Sequence, residues 1–204
     1  QSVHRGSVRR DTFAPTRAGA AWGDPGWGAQ VVRDGVWRRA GSYGLALYPA
    51  VLATLGMWLV HRMSSGSILA RGPALLLGAA TAAIFWTPRP QMLSFVLAAA
   101  LLYLLHLHKR EGRDLLWAVP VLMAVWANLH DGYSIGLILL LGSIGGEVLG
   151  HLFDRGGATL VPWSGVRKLA VVTVVSLAAV CVNPYGCRIL AVPFQTIGIG
   201  ALQD

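Results

Sequence analysis

Three polar clusters separate the apolar segments of this chain, and each contains groups that can bind a ligand or carry charge. They are residues 87–91 (TPRPQ), 128–133 (NLHDGY) and 183–186 (NPYG). If the apolar segments are membrane helices, each cluster lies where a helix ends, and the alternating helix directions place all three at one membrane face. Polar and ionisable groups are costly to place in a bilayer without a function. The pattern therefore predicts a polar site at that face.

The first cluster supplies a cation. Arg89 lies between Pro88 and Pro90, so its backbone is stiff and extended and its guanidinium projects from a fixed point. A guanidinium at the depth of the lipid headgroups suits a phosphate, which it binds through paired charge-assisted hydrogen bonds. Anchoring to lipid headgroups is the alternative. Gln91 either shapes the same site or is an ordinary polar residue at the start of a helix.

The second cluster brings an amide, an imidazole and a carboxylate together. Asn128, His130 and Asp131 fall within four residues, directly before Gly132. Such a set can orient a sugar hydroxyl, move a proton, or bind Mg²⁺ or Mn²⁺ with His130 and Asp131 as the ligands. A tight turn alone accounts for Asn, Asp and Gly, but a turn does not require the imidazole. We therefore favour a functional role for His130.

The third cluster has two interpretations. Asn183 and Tyr185 indicate first a helix end followed by a turn, and second a wall of the site. Cys181 and Cys187 flank this cluster. They either form a disulfide or act as small apolar side chains at a helix end.

The elements that must position these clusters follow from composition. The chain has 204 residues, of which 54% are hydrophobic and 13% charged, with a mean hydropathy of +0.55; ordinary soluble domains contain about 25% charged residues. This composition predicts an all-α, polytopic transmembrane helix bundle over residues 41–204. Buried helices of a soluble protein are the alternative for the shortest run, but six apolar runs in series disfavour it. The expected spans are residues 41–61, 68–86, 91–108, 115–129, 133–153 and 167–182, with a possible partial span at 187–202.

Residues 1–40 differ from the rest because they contain seven Arg and no long apolar run. We expect an extracytoplasmic loop with short interfacial helices, one of them over residues 31–39. Trp22 and Trp27 can stack on sugar rings, and Asp11 and Asp24 can accept hydrogen bonds from hydroxyls. An interfacial loop without a binding function contains the same residue types.

The distribution of basic residues predicts the orientation. One set of loops, 62–72, 109–114 and 154–168, carries eight Lys or Arg, whereas the opposite connections carry Arg89 and Arg188. The positive-inside rule, which is read from short loops, makes the first set cytoplasmic and places the clusters outside. The seven Arg of residues 1–40 lie on the cluster side and leave the raw count undecided. The net charge of +8 is then explained by loops and anionic lipids, and no nucleic-acid-binding motif accompanies it.

Short motifs along nearly the whole chain resemble, in the same order, a bacterial branch of the GT-C membrane glycosyltransferases. Each motif is short, and their order carries the resemblance. They are residues 11–19 (DTFAPTRAG), Trp22, 27–30 (WGAQ), 89–91 (RPQ), 126–132 (WANLHDG) and 183–186 (NPYG).

The resemblance implies inverting transfer of a sugar from a polyprenyl-phosphate donor to a glycan, lipid or protein acceptor, often with a divalent cation, at the outer face of a bacterial inner membrane. In that family the general base follows the first span, which implies a base located before Gln1 and a chain that is a piece of a longer protein. Asp11, Asp24 and Asp131 are weaker candidates for the base. Asp131 stands where the family pattern has Gly, and residues 28–30 lack the usual acidic residue.

These expectations combine into one hypothesis and one alternative. Arg89 binds the lipid-linked phosphate, the residues of the second cluster position the acceptor or a metal, and Trp22, Trp27 and Tyr185 frame the sugar. The alternative is a non-catalytic membrane scaffold or transporter that binds an anionic lipid or solute at the same face. A transporter requires polar residues along the middle of its spans. The spans contain few of them, and Glu147 is expected to pair or to reach the membrane surface.

Overall fold

The computed structural model describes residues 26–153 and 160–193, and all regular structure within them is helical. The all-α prediction is confirmed for these residues. Short 3₁₀ helices extend the second α-helix over Ala83–Phe85 and follow the sixth over Gly186–Ala191. The six α-helices are α1 (Trp27–Met63), α2 (Ile68–Ala82), α3 (Gln91–Arg110), α4 (Ala118–Leu129), α5 (Tyr133–Phe153) and α6 (Trp163–Val180).

Five of these helices are long and apolar enough to cross a membrane: α1, α2 with its 3₁₀ extension, α3, α5 and α6. Twenty residues of α-helix rise about 30 Å, the thickness of the hydrocarbon core. Helix α4 has 12 residues and rises only about 18 Å. The described residues therefore have the architecture of a polytopic integral membrane protein in which α4 is too short to cross the hydrocarbon core.

Helix α1 is broken at Gly41, whose φ of 56° and ψ of −144° are not helical. This backbone conformation is essentially restricted to glycine. The part of α1 before the break contains the segment 31–39 that was expected to form an interfacial helix, and it begins earlier, at Trp27. Asp11, Trp22 and Asp24 lie outside the described residues. So does most of the possible partial span, of which residues 187–191 belong to a 3₁₀ helix.

The apolar core is formed by α3 to α6. Val119, Met123 and Trp126 of α4 are fully buried, and α4 packs most extensively on α6. In contrast, α2 has no buried residue. One face of α4 is therefore buried in the bundle while Val121 and Val125 on its other face are exposed, and α2 lies at the periphery, facing lipid.

Prolines mark where two of the helices begin. Pro90 immediately precedes α3, and Pro162 immediately precedes α6. Proline lacks the N–H that would lose its partner at a helix start, so it is well tolerated there. Arg89 lies in the connection from α2 and is separated from Gln91, the first residue of α3, by Pro90 alone.

Candidate functional site

The ends of α4 and α6 and the beginning of α1 meet at one end of the bundle, which we call the cluster end. The Asn128 side-chain nitrogen, at the end of α4, donates to the Val182 carbonyl that follows α6, at 2.8 Å. A Cβ added to Gly28, near the start of α1, would lie 2.5 Å from the Asn128 carbonyl oxygen. The second cluster therefore contacts the residue directly before the third cluster, and α1 packs on the second cluster closely enough to require glycine.

A narrow cleft at the cluster end separates the first part of α1 from the connection between α2 and α3. Arg33 and Arg89 are both exposed, and neither guanidinium makes a hydrogen bond or ion pair with another described residue. None of the described residues that line the cleft is acidic. We call this the Arg33–Arg89 cleft, and its lining is Ala29, Gln30, Arg33, Tyr48, Pro88, Arg89 and Pro90.

Two guanidinium groups without a partner among the described residues line one cleft. This arrangement favours the binding of an anion. A planar guanidinium matches the oxygen geometry of a phosphate better than an ammonium does. Tyr48 adds a phenol to the same lining. Of these residues, the sequence analysis identified Arg89 but not Arg33, which lies 56 positions earlier in the chain.

His130 is held by a hydrogen-bond network that reaches into α3. The Trp126 indole N–H donates to the Ser94 hydroxyl oxygen at 2.8 Å, and that oxygen lies 2.9 Å from His130 Nδ1. The Gly132 backbone N–H donates to the same Nδ1 at 2.9 Å. Because an indole N–H can only donate, the Ser94 hydroxyl hydrogen is available for Nδ1. We assign Nδ1 as the acceptor, which places the hydrogen of the neutral ring on Nε2.

The Asp131 carboxylate lies beside the same ring nitrogen. Its Oδ1 lies 3.1 Å from His130 Nδ1, and its side chain is 48% exposed. A carboxylate repels an unprotonated nitrogen and attracts a protonated one. The ring is therefore held through Nδ1 by Ser94 and Gly132, and the Asp131 carboxylate lies beside the same atom.

Close packing requires glycine at position 132. A Cβ at this position would collide with the Ser94 hydroxyl and lie 3.0 Å from His130 Nδ1. The second cluster is thus a packed arrangement around His130, with Ser94 and Trp126 as two partners that the sequence analysis did not identify.

The described residues do not by themselves fit a divalent cation. Within residues 26–153 and 160–193 there is no group of three His, Cys, Asp or Glu side chains placed to hold a metal. His130 and Asp131 supply one ring and one carboxylate, and Nδ1 of that ring already accepts hydrogen bonds. Mg²⁺ requires a near-octahedral set of oxygen ligands. The cation remains a prediction, and we assign it no step.

The other predicted site residues serve mainly to shape the backbone at the cluster end. Asn128 also donates to the Ala124 carbonyl at 2.8 Å, so its amide nitrogen is fully engaged. Asn183 donates to the Val180 carbonyl at 2.6 Å and accepts from the Tyr185 N–H at 2.7 Å, which is the geometry of a helix end followed by a turn. Tyr185 packs partly against the core.

Gln91 and Trp27 are both first residues of helices. Gln91 begins α3, is exposed and does not line the cleft. Its side chain makes no hydrogen bond with another described residue. Trp27 begins α1 and is 42% exposed. Neither residue lines the Arg33–Arg89 cleft.

A hydrogen bond holds the 3₁₀ helix that follows the third cluster against the start of α5. The Tyr133 hydroxyl donates to the Ile189 carbonyl at 2.5 Å and ties the start of α5 to the 3₁₀ helix after α6. Cys181 and Cys187 are free thiols. A hydrogen bond with Cys187 raises the pKa of the Cys181 thiol above its ordinary value.

No protein-family model, curated protein or solved structure matches this chain. The resemblance to GT-C glycosyltransferases therefore stays a hypothesis drawn from motifs. The supported description is that the part of the chain covered by the structure is all-helical and contains five long apolar helices, consistent with an integral membrane protein.

Proposed function

We propose that this protein binds the phosphate of a polyprenyl-linked sugar with the exposed Arg33 and Arg89 side chains at the mouth of the Arg33–Arg89 cleft, and takes part in transfer of that sugar to an acceptor at the extracytoplasmic membrane face. One observation carries the proposal. Two guanidinium groups that have no described ion-pair partner line one cleft at the cluster end. A guanidinium without a protein partner is free to bind an anion, and phosphate is the anion found at the depth of the lipid headgroups.

The surroundings of the cleft favour a phosphate that is carried on a lipid. The connection that holds Arg89 follows α2, which has no buried residue and exposes Leu69, Leu76 and Leu77. An isoprenoid chain can therefore lie along the α2 surface while its phosphate reaches the cleft. A soluble anion would gain nothing from this apolar approach.

His130 is the described residue best suited to contact the acceptor. Ser94 and Gly132 fix its ring through Nδ1, so Nε2–H is left to orient a hydroxyl by donating a hydrogen bond. We assign the general base to no described residue. Asp131 acts in this proposal through His130.

The test is sugar transfer from polyprenyl-phosphate donors, together with donor binding, using the purified protein. We expect Arg33→Ala and Arg89→Ala each to weaken donor binding about 10- to 100-fold, since a hydrogen bond to a charged group contributes about 1.5–3 kcal/mol. Arg38→Ala is the matched control, because Arg38 lies on the same helix but pairs with Asp34 at 2.6 Å. Its donor binding should equal that of wild type.

The outcomes separate the possibilities. Wild-type donor binding by Arg89→Ala would show that the cleft assignment is wrong. Arginine-dependent binding without any transfer would instead identify a lipid-binding scaffold. His130→Ala should slow transfer while leaving donor binding unchanged, because His130 is assigned to the acceptor.

A further inference from the structure

A second cavity lies at the opposite end of the bundle, between α3, α5 and α6. Its volume is about 240 Å³. Helix direction places it at the membrane face of the short basic loops, away from the Arg33–Arg89 cleft. It is lined by Leu105, His108, Lys109, Gly142, Ser143, Gly146, Glu147, Val161, Val166 and Leu169.

An ion pair fixes the charged groups of this cavity. Lys109 Nζ lies 2.5 Å from Glu147 Oε1, and Glu147 Oε2 accepts from the Val161 backbone N–H at 2.9 Å. Glu147 is buried, with 5% of its surface exposed, whereas the Lys109 side chain is 37% exposed. Both carboxylate oxygens are engaged, but an ammonium has three donors and Lys109 gives one to Glu147. The pair therefore leaves spare donors at the cavity.

His108 adds a polar atom that lacks a partner. Its Nε2 is buried and makes no hydrogen bond with any of the described residues. An unsatisfied buried donor or acceptor costs about 1–3 kcal/mol. Ser143, in contrast, donates its hydroxyl hydrogen to the Leu139 carbonyl of its own helix, at 2.7 Å. Because solvent does not reach His108 Nε2, a ligand that accepts hydrogen bonds would bind instead to the spare donors of Lys109.

Two glycines open the cavity to the side of the bundle. Gly142 and Gly146 are exposed, one helical turn apart on α5, and a Cβ added to either would meet no atom within 4 Å. The remaining walls include the apolar side chains of Leu105, Val166 and Leu169. Hydrogen-bond donors, apolar walls and a lateral opening together fit a lipid headgroup whose chains extend into the bilayer.

We propose that this cavity binds the phosphate headgroup of an anionic phospholipid, with Lys109 donating to the phosphate and the acyl chains passing Gly142 and Gly146. Glu147 holds Lys109 in place. Arg110 at the end of α3 and Arg167 near the start of α6 add positive charge to the same membrane face. This charge attracts anionic headgroups.

The test is lipid retention by the purified protein in native mass spectrometry, with phosphatidylglycerol as the probe. The Arg89→Ala variant serves as background, so that a lipid at the cluster end does not contribute. We expect one retained phosphatidylglycerol and at least tenfold weaker retention of diacylglycerol, which lacks the phosphate. Equal retention of the two lipids, or equally strong binding of inorganic phosphate alone, would overturn the proposal.

Two glycine substitutions separate this site from general lipid contact. Gly146→Leu should fill the opening and weaken phosphatidylglycerol retention at least tenfold without disturbing the ion pair. Gly145→Leu is the matched control, because Gly145 also has open space around it but does not line the cavity. Retention by Gly146→Leu that equals that of Gly145→Leu would contradict the assignment.

A charge variant provides an independent measurement. Lys109→Gln alone would leave Glu147 buried without its cation and can unfold the protein. The double variant Lys109→Met with Glu147→Gln removes both charges and should fold, yet lose at least tenfold in phosphatidylglycerol retention. Undiminished retention by the folded double variant would also overturn the proposal.

Discussion

At the scale of single residues, Ser94 joins two side chains that are 36 and 32 positions away in the chain. It accepts from the buried Trp126 indole and hydrogen-bonds to His130 Nδ1. Ser94→Ala would leave the indole N–H without an acceptor in a site that water does not reach. We expect a loss of about 1–3 kcal/mol in the free energy of unfolding, measured by denaturant titration in detergent.

Ser176 is the matched control for this prediction. Like Ser94 it is a buried serine, but its hydroxyl has no hydrogen-bond partner among the described residues. Ser176→Ala removes a polar atom that is already unsatisfied, so its unfolding free energy should be unchanged or higher. Equal losses for the two variants would show that the indole bond contributes nothing.

Local sequence signals found some site residues and missed others for a physical reason. Arg89 and His130 stand in short polar clusters between apolar runs, and such an interruption is visible without a structure. Ser94 is one small polar residue inside an apolar helix, and Arg33 is one of seven Arg in its segment. Their roles arise from packing between α1, α3 and α4, which no local pattern encodes.

At the scale of elements, the break at Gly41 sets the direction of the part of α1 that carries Arg33. The φ of 56° and ψ of −144° disfavour every residue that has a Cβ. Gly41→Ala should lower the unfolding free energy by about 1–3 kcal/mol, or reorient the first part of α1. In the second case donor binding falls as in Arg33→Ala.

Gly35→Ala provides the comparison within the same helix. Its added Cβ would lie 3.5 Å from the nearest atom, the Arg39 Nη1, which is an ordinary contact. Alanine also favours helix by about 1 kcal/mol over glycine. Thermal unfolding should show Gly35→Ala as stable as wild type or more so, and a similar loss in both variants would argue against the strained break.

Helix positions follow the sequence where composition changes abruptly. Helix α5 occupies Tyr133–Phe153, the range assigned to it from the apolar run after Gly132. Helix α6 begins at Trp163, whereas the sequence predicted that the last span starts at residue 167. The prediction started too late because the first turn of α6 is amphipathic and not apolar. The first part of α1 was likewise expected only as a shorter segment.

At the scale of the whole molecule, the orientation is testable with the native cysteines. Both lie at the cluster end, and Cys187 is the exposed one. We expect a membrane-impermeant maleimide to label Cys187 in intact cells, because the positive-inside rule places the cluster end outside. The raised pKa of the Cys181 thiol lowers its thiolate fraction, so Cys181 should react more slowly.

The opposite loop supplies the control for orientation. Glu111 is exposed after the end of α3, and Glu111→Cys in a protein without its native cysteines should be labelled only after the membrane is permeabilised. The reverse labelling pattern would show that the cluster end is cytoplasmic.

The overall class of the molecule was predictable because it depends on summed composition, whereas the sites depend on contacts. A mean hydropathy of +0.55 is enough to indicate a membrane bundle. It cannot indicate that one face of α4 is buried, that Lys109 pairs with Glu147, or that the Arg33–Arg89 cleft exists.

The peripheral position of α2 has a kinetic consequence. Because α2 buries no residue and leads directly to Arg89, the lipid-linked phosphate proposed as the ligand would reach the cleft by diffusing in two dimensions. The quantity that governs its encounter rate is then the mole fraction of that lipid in the bilayer, not its molar concentration in the sample. Added detergent dilutes the surface and slows the encounter even when the total amount of lipid is constant.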